Sequence, residues 1–162
     1  MKLLASDYDG TLSFNASVMP EDKQAIEKWR AEGNSFAVVT GRSKDSLERQ
    51  LKENGIEVDY MICNCGSMVY DAQGQLLESI YFDYVTGIDT ICIAKASEGV
   101  ISVIANDENG RHRLIVDPDL QDHRFEGLEP DMKEEEIMDL PHIAQVVVSM
   151  ATPDLAFEFA ED

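Results

Sequence analysis

The sequence predicts an α/β fold in which a parallel-sheet core is followed by a smaller α+β unit. Three observations carry this reading. Strand and helix patterns alternate through the first half, as they do where crossover helices join parallel strands. The helical segments are punctuated by proline at the start and glycine at the end. The second half changes to hairpin signals around short helices.

Leu3 to Ser6 is the first strand, a short apolar run that closes on Asp7-Tyr8-Asp9-Gly10. Pro20 to Glu32 reads as a helix with proline in its first turn, Ala25, Ile26 and Trp29 on one face, and Gly33 as its stop. Ser35 to Val39 is the second strand. Thr40-Gly41-Arg42-Ser43 then turns into a helix from Lys44 to Asn54, with Leu47 and Leu51 four apart and Gly55 ending it. Tyr60 to Cys63 is the third strand, and the segment after it forms a hairpin around Ala72-Gln73-Gly74.

Composition shifts near Asp83, which sets the expected domains at 1–83 and 84–162. Ile88, Ile91, Cys92 and Lys95 predict a helix with one apolar face. Val100 to Ala105 and Arg113 to Val116 flank a hairpin signal centred on Asn109-Gly110, Met132 to Asp139 is a short acidic helix, and Ile143 to Met150 is a strand. Thr152 and Pro153 open a final helix as cap and first helical residue.

At 162 residues and 44% hydrophobic content the chain can bury a core. Its formal net charge of −19, from 13 basic against 32 acidic residues, excludes nucleic acid and anionic membrane surfaces as partners. An anionic small molecule would meet the same repulsion, so a phosphate site here needs local cations, backbone N–H donors or a metal. Three cysteines fit a reducing compartment better than a disulfide framework, and "MKLLASDYDG" is too short an apolar start for a signal peptide. A cytoplasmic location is the expectation.

Asp7 and Asp9 stand two positions apart before Gly10. Crowded like charges are costly unless a cation or proton is shared, so the pair indicates chemistry or a metal, or else a solvated strand end with Gly10-Thr11 as turn residues. A calcium loop of the EF-hand type is excluded, because its glycine would stand sixth and its glutamate twelfth, whereas Gly10 is fourth from Asp7 and Val18 is twelfth. GxxxxGK[ST] and GxGxxG are absent. In an open α/β sheet ligands bind outside the carboxyl ends of the strands, where Asp7, Asp9 and Thr40 can face one pocket.

These segments carry a resemblance. "SDYDGTL" resembles the first motif, DxDGT[LV], of the haloacid dehalogenase superfamily, and "VVTGRS" resembles the second motif of its Cof-type phosphatase branch. "ICNCGSMVYD" is similar to that branch's "I.SNGA.IYD" segment. The likeness covers residues 1 to about 83, and the elements that follow look like the opening of the branch's inserted cap, as if the chain were truncated within it. The resemblance implies a magnesium-dependent phosphatase of small phosphorylated metabolites. It makes Asp7 the nucleophile, Asp9 the acid/base, and Thr40 a hydroxyl donor to the phosphoryl group. Magnesium would be held by Asp7 and the backbone carbonyl of Asp9. Gly10, Thr11 and Gly41 would present N–H groups, Arg42 would contact substrate, and Cys65 and Gly66 would line the substrate side.

The chain departs from the family pattern in two ways. Cys65 replaces the asparagine of "SNGA", and no third-motif lysine or "GDxxND" occurs between Asp83 and Asp162, since Lys95 and Lys133 fall in expected cap helices. A second reading is therefore a catalytically weak or inactive fragment that serves as an assembling or phosphate-binding module. Either way, a first strand without its further neighbours leaves a bare edge, and a homo-oligomer is expected. The other candidates have plainer readings. Asp117, Asp119 and Asp122 form an acidic turn, Cys63 and Cys65 lie on one face of a strand, His112, His123 and His142 are surface residues, and Glu134 to Glu136 form a solvated helix face.

Overall fold

The computed structural model describes residues 1–120 and 132–161. The chain divides into two compact units, Met1–Ile80 and Tyr81–Asp162.

The first unit is built on a five-stranded sheet of order β1-β4-β5-β6-β7. Its strands are β1 (Leu3–Asp7), β4 (Ser35–Val39), β5 (Tyr60–Cys63), β6 (Met68–Asp71) and β7 (Leu76–Ser79). The pairings of β1 with β4 and of β4 with β5 are parallel, whereas β6 and β7 return antiparallel. The α/β class read from the sequence, with parallel strands joined by crossover helices, is what the chain adopts. Helix α1 (Pro20–Ala31) joins β1 to β4, and α2 (Lys44–Asn54) joins β4 to β5. Phe36, Ala37 and Val38 of β4 are all buried, so both faces of this strand are covered. β1 is different, for it is an edge strand whose Leu3 and Leu4 are 58% and 42% exposed.

Two short strands were not evident in the sequence. β2 (Ser13–Phe14) and β3 (Ser17–Val18) form a minimal hairpin after Gly10, turned by Asn15 and Ala16 at φ 52° and 61°. Buried Asn54 fastens it to the end of α2. Its Oδ1 accepts the Val18 N–H at 3.0 Å, and its Nδ2 lies 3.2 Å from the Ala16 carbonyl and 3.3 Å from the Tyr8 hydroxyl. Asp59, just before β5, performs a similar task for β4. Its Oδ2 accepts the Phe36 N–H at 2.8 Å while the Arg30 guanidinium holds both of its oxygens at 3.1 Å. The hydrogen bonds from Arg30 hold the Asp59 carboxyl below the usual carboxylate range.

The second unit contains an antiparallel sheet of order β10-β8-β9, made of β8 (Val100–Asp107), β9 (Gly110–Ile115) and β10 (Gln145–Met150). It also contains α3 (Tyr84–Ala96), α4 (Glu134–Met138) and α5 (Pro153–Glu161). Ile91, Ala94, Val103, Ala105, Leu114, Ile137 and Ile143 belong to its core. α3 departs from expectation in detail, because Gly87, Ile91 and Ala94 make its buried side while Cys92 is exposed and Ile93 is 63% exposed. β8 also runs to Asp107 rather than Ala105. The cause is polar pairing that an apolar pattern cannot register: Asn106 donates to Gln145 at 2.7 Å, and Asp107 Oδ1 accepts the N–H groups of Asn109 and Gly110 at 2.7 and 2.9 Å. Among the described residues no helix is long and apolar enough to cross a membrane.

α2 ends where the sequence places its stop. Gly55 adopts φ 65° and ψ 37°, and its N–H turns back to the last carbonyls of the helix. A Cβ there would meet nothing within 4 Å, so the cost of a side chain is conformational and not steric contact. Gly55→Ala is expected to lower stability by about 1 kcal/mol, read from denaturant unfolding followed by Trp29 fluorescence. An unchanged midpoint would contradict the left-handed cap.

Candidate active site

The parallel pairing of β1 with β4 puts Asp7 in register with Val39, so the loops after the two strands leave the sheet side by side. Asp7 is exposed, and its Oδ2 accepts the Thr11 hydroxyl at 2.7 Å. Tyr8 turns inward and is fully buried, which sends Asp9 back out on the same side of the loop. Gly10 adopts φ 79°, a left-handed turn suited to glycine. Its N–H donates to the Ser13 carbonyl at 2.9 Å, so in this state that group closes the turn.

The second loop begins at Thr40, which is buried. Its N–H donates to Ile62 at 2.9 Å, and its Oγ1 accepts the Arg42 N–H at 3.2 Å. That contact occupies a lone pair and leaves the hydroxyl proton able to donate. Arg42 reaches across to the first loop. Its Nε and Nη2 donate to Asp9 Oδ2 and Oδ1, both at 2.7 Å, while Nη1 donates to Ser46 Oγ at 3.0 Å. The guanidinium also lies over the Tyr8 ring, 5.8 Å from its centroid. Bonding to Asp9 raises the Arg42 guanidinium above its ordinary value.

The third loop is laced to the second. Asn64 N–H donates to the Arg42 carbonyl at 2.9 Å and Cys65 N–H to the Thr40 carbonyl at 3.1 Å. Asn64, Cys65 and Gly66 all have positive φ, at 51°, 57° and 98°. Two successive non-glycine residues in this region are costly, and such strain is tolerated where surrounding bonds over-determine the turn. A Cβ on Gly41 would stand 3.3 Å from Cys65 Sγ, a tight contact to which the thiol would have to yield by a few tenths of an ångström.

The structure thus gathers Asp7 with Thr11, Asp9 with Arg42, and Thr40 and Gly41 with Cys65, all at the carboxyl ends of β1, β4 and β5. Sequence reasoning missed Tyr8, Ser46 and Asn54 as supports. Ser46 had one usable signal, its position four residues after Arg42 at the start of a helix. The expectation that Cys63 and Cys65 share a strand face is corrected, since β5 ends at Cys63 and the left-handed turn sends Cys65 outward. His112 is not a surface residue. It is half-buried, with Nε2 3.0 Å from Asp107 Oδ1, while the exposed His142 stacks on Tyr81 and approaches Glu108 at 3.0 Å. Asp117 accepts the Asp119 N–H at 2.9 Å in a simple turn, and Asp122 and His123 lie outside the described residues. Glu134, Glu135 and Glu136 are exposed as expected.

With these loops in place, comparison with known proteins is informative. Residues 4–154 match the family model of haloacid dehalogenase-like hydrolases. The chain belongs to that family. Among solved structures, this haloacid dehalogenase-like chain is similar to the phosphatase BT1666 from Bacteroides thetaiotaomicron, with a TM-score of 0.72 and 18% identity over 99% of this chain and 59% of that one. It is also similar to the subclass IIB sugar phosphatase BT4131, with a TM-score of 0.72 and 20% identity over 99% of this chain and 63% of that one. A haloacid dehalogenase-like hydrolase from B. subtilis aligns over 69% of this chain and 39% of its own length, at 24% identity and a TM-score of 0.63. The chain therefore spans between 39% and 63% of the length of these three relatives. At such identities the likeness is one of fold.

The site's three-dimensional surroundings separate its two neighbouring thiols. Burial pushes the Cys63 thiol up to about 12, whereas Cys65, like Cys92, is exposed. A thiol-reactive chromophore at pH 8 is expected to titrate two of the three cysteines rapidly, with Cys63 reacting after denaturation. Rapid reaction of all three would place Cys63 outside the core.

Proposed function

We propose that this chain carries the phosphoryl-transfer site of a magnesium-dependent phosphatase of small phosphorylated metabolites. The observation that supports this most directly is the juxtaposition, on neighbouring parallel strand ends, of the exposed Asp7 carboxylate with the Thr40 turn, in a family of hydrolases. In this reading an Asp7 carboxylate oxygen attacks phosphorus, the bond to the ester oxygen breaks, and the leaving oxygen takes a proton from Asp9, which has left the Arg42 fork and taken up that proton from solvent. The aspartyl-phosphate on Asp7 is then cleaved by water, whose proton passes to Asp9, releasing phosphate and restoring Asp7. Thr40 donates its hydroxyl to a phosphoryl oxygen. The N–H groups of Thr11 and Gly41, with the turn at Cys65 and Gly66, line the approach. The second unit is read as part of a cap that governs which metabolite is accepted.

The donor set fits magnesium in a limited way. Magnesium is commonly held by one or two carboxylates with waters and substrate oxygens completing its shell, and Asp7 supplies such a carboxylate. Among the described residues no group of three His, Cys, Asp or Glu side chains converges to hold a metal, and the Asp9 carboxylate is engaged by Arg42. The Asp7 carboxylate and the Asp9 backbone carbonyl are the oxygens this chain would offer. When bound, the ion would neutralise charge on the phosphoryl oxygens.

Activity of this chain alone is expected to be weak. Loss of one preorganised charge-stabilising group costs about 10² to 10³ in rate, and both the third-motif lysine and the fourth-motif acids are absent here, so a deficit of about 10⁴ or more follows. Magnesium-dependent release of phosphate from an aryl phosphate should be detectable at that level and should vanish in Asp7→Asn. Release that is indifferent to this substitution would remove the reading.

The exposed edge of β1 favours a second reading, the assembling module. Leu3 and Leu4 are exposed on a strand whose outer N–H and C=O groups have no neighbouring strand among the described residues. We propose a second copy as the cover. An antiparallel two-fold pairing centred between Leu4 and Ala5 sets Lys2 of one copy opposite Asp7 of the other, which joins opposite charges and takes Asp7 out of chemistry. Light scattering at micromolar concentration should then give at least twice the chain mass, and a persistent monomer would rule this pairing out.

A further inference from the structure

The fork between Arg42 and Asp9 joins the two loops that carry the chemistry, and it poses a conflict. Asp9 stands two residues from Asp7, and Arg42 stands two residues from Thr40, so the ion pair bridges the mouth between nucleophile and hydroxyl. While the fork is closed, each Asp9 oxygen accepts a hydrogen bond from the guanidinium, which holds the carboxylate turned toward Arg42. An entering anion would meet Asp7 and Asp9 together in a chain of net charge −19, with the one cation of the fork already engaged.

We propose that Arg42 is an anion-responsive latch for Asp9. In the ligand-free site the guanidinium holds the Asp9 carboxylate, and when a phosphate-class anion enters, the fork passes to the anion and Asp9 is released. This inference rests on the phosphatase reading of the site, and it gives Arg42 two tasks, to bind the anion and to set the position of Asp9. Three features support it. A guanidinium presents parallel N–H donors that match carboxylate and phosphate oxygens alike, so one group can exchange for the other without a change of geometry. The pair is partly solvated, with side-chain exposures of 31% for Arg42 and 52% for Asp9, and an ion pair in that setting is held weakly enough to be displaced. The guanidinium also has a pivot independent of Asp9, since Nη1 is held by Ser46 on α2 and the plane lies over the buried Tyr8 ring. Arg42 therefore stays at the mouth when Asp9 leaves.

The latch is distinguishable from simple repulsion between Asp9 and an anion. Binding of inorganic phosphate is measured calorimetrically for the full chain, Asp9→Asn, Arg42→Gln and the double variant, with Trp29 fluorescence confirming the fold of each. If Asp9 competes for Arg42, Asp9→Asn raises phosphate affinity about tenfold when Arg42 is present and less than about twofold in the Arg42→Gln background, a coupling of the size expected between linked groups. The Arg42 Nε–Hε signal in nitrogen-15 spectra should shift on saturation with phosphate, and Arg42→Lys, which keeps charge and loses the fork, should not restore the coupling. An equal gain from Asp9→Asn in both backgrounds, an Arg42 signal that does not move, or no phosphate binding by either the full chain or Asp9→Asn would each overturn the latch. These outcomes are separate from the hydrolysis assay. Hydrolysis with an unmoved Arg42 signal leaves the phosphatase reading and removes the latch, whereas a moving signal without hydrolysis does the reverse.

Discussion

The register of β1 on β4 is the constraint on which the rest of the candidate site depends. Side chains alternate along a strand, so a slip of one residue would turn Asp7 to the opposite face and carry the whole first loop away from Thr40. The register is pinned at its far end, where the Lys2 N–H donates to Asn34 Oδ1 at 2.9 Å and the Ser35 N–H to the Lys2 carbonyl at 2.8 Å. It is further held by the burial of Phe36, Ala37 and Val38, which leaves β4 no freedom to slide. Five residues later these contacts determine that Asp7 stands beside Val39. The candidate site is thus positioned by bonds at the opposite end of the strands.

From that register outward, backbone hydrogen bonds carry the position of one loop to the next. Thr40 is fixed by Ile62, Cys65 by Thr40, and Asn64 by Arg42, so the second and third loops form a continuous lattice. The first loop joins it through the Arg42 fork and through Asn54, which bridges from α2 to the small hairpin after Gly10. A large net negative charge would keep anions away from most of this surface. What makes an anion site tenable here is local: one guanidinium, a hydroxyl and the dipoles of three tight turns.

Much of this architecture is legible in the sequence because it is encoded locally. Pro20, Gly33 and Gly55 mark helix ends through backbone requirements that no distant contact alters, and the bounds of β4, α2 and β5 follow from them. The roles of Asp7, Thr40 and Arg42 as neighbours follow from the rule for parallel sheets. What escapes is whatever depends on a partner remote in sequence. Asn54 looks like an ordinary helix end until Ala16 and Val18 fold against it, and His112 looks like a surface residue until the hairpin brings it to Asp107. β8 outruns its apolar pattern because Gln145, far along the chain, completes the bonding of Asn106. The direction of Arg42 is of the same kind, since its sequence neighbourhood says nothing of Asp9.

The left-handed turn at Asn64, Cys65 and Gly66 has a consequence for how this site can change over evolutionary time. Its backbone is held by hydrogen bonds to Thr40 and Arg42, and the residue at position 65 is exposed. Residues that accept a positive φ at modest cost, such as glycine, asparagine or aspartate, can therefore succeed one another there with these backbone bonds kept, while β-branched residues are barred. Each exchange would alter the group shown at the rim, from thiol to amide to carboxylate or to bare backbone. Position 65 is thereby a place where the exposed group can change while the backbone of the turn keeps its bonds to the neighbouring loops.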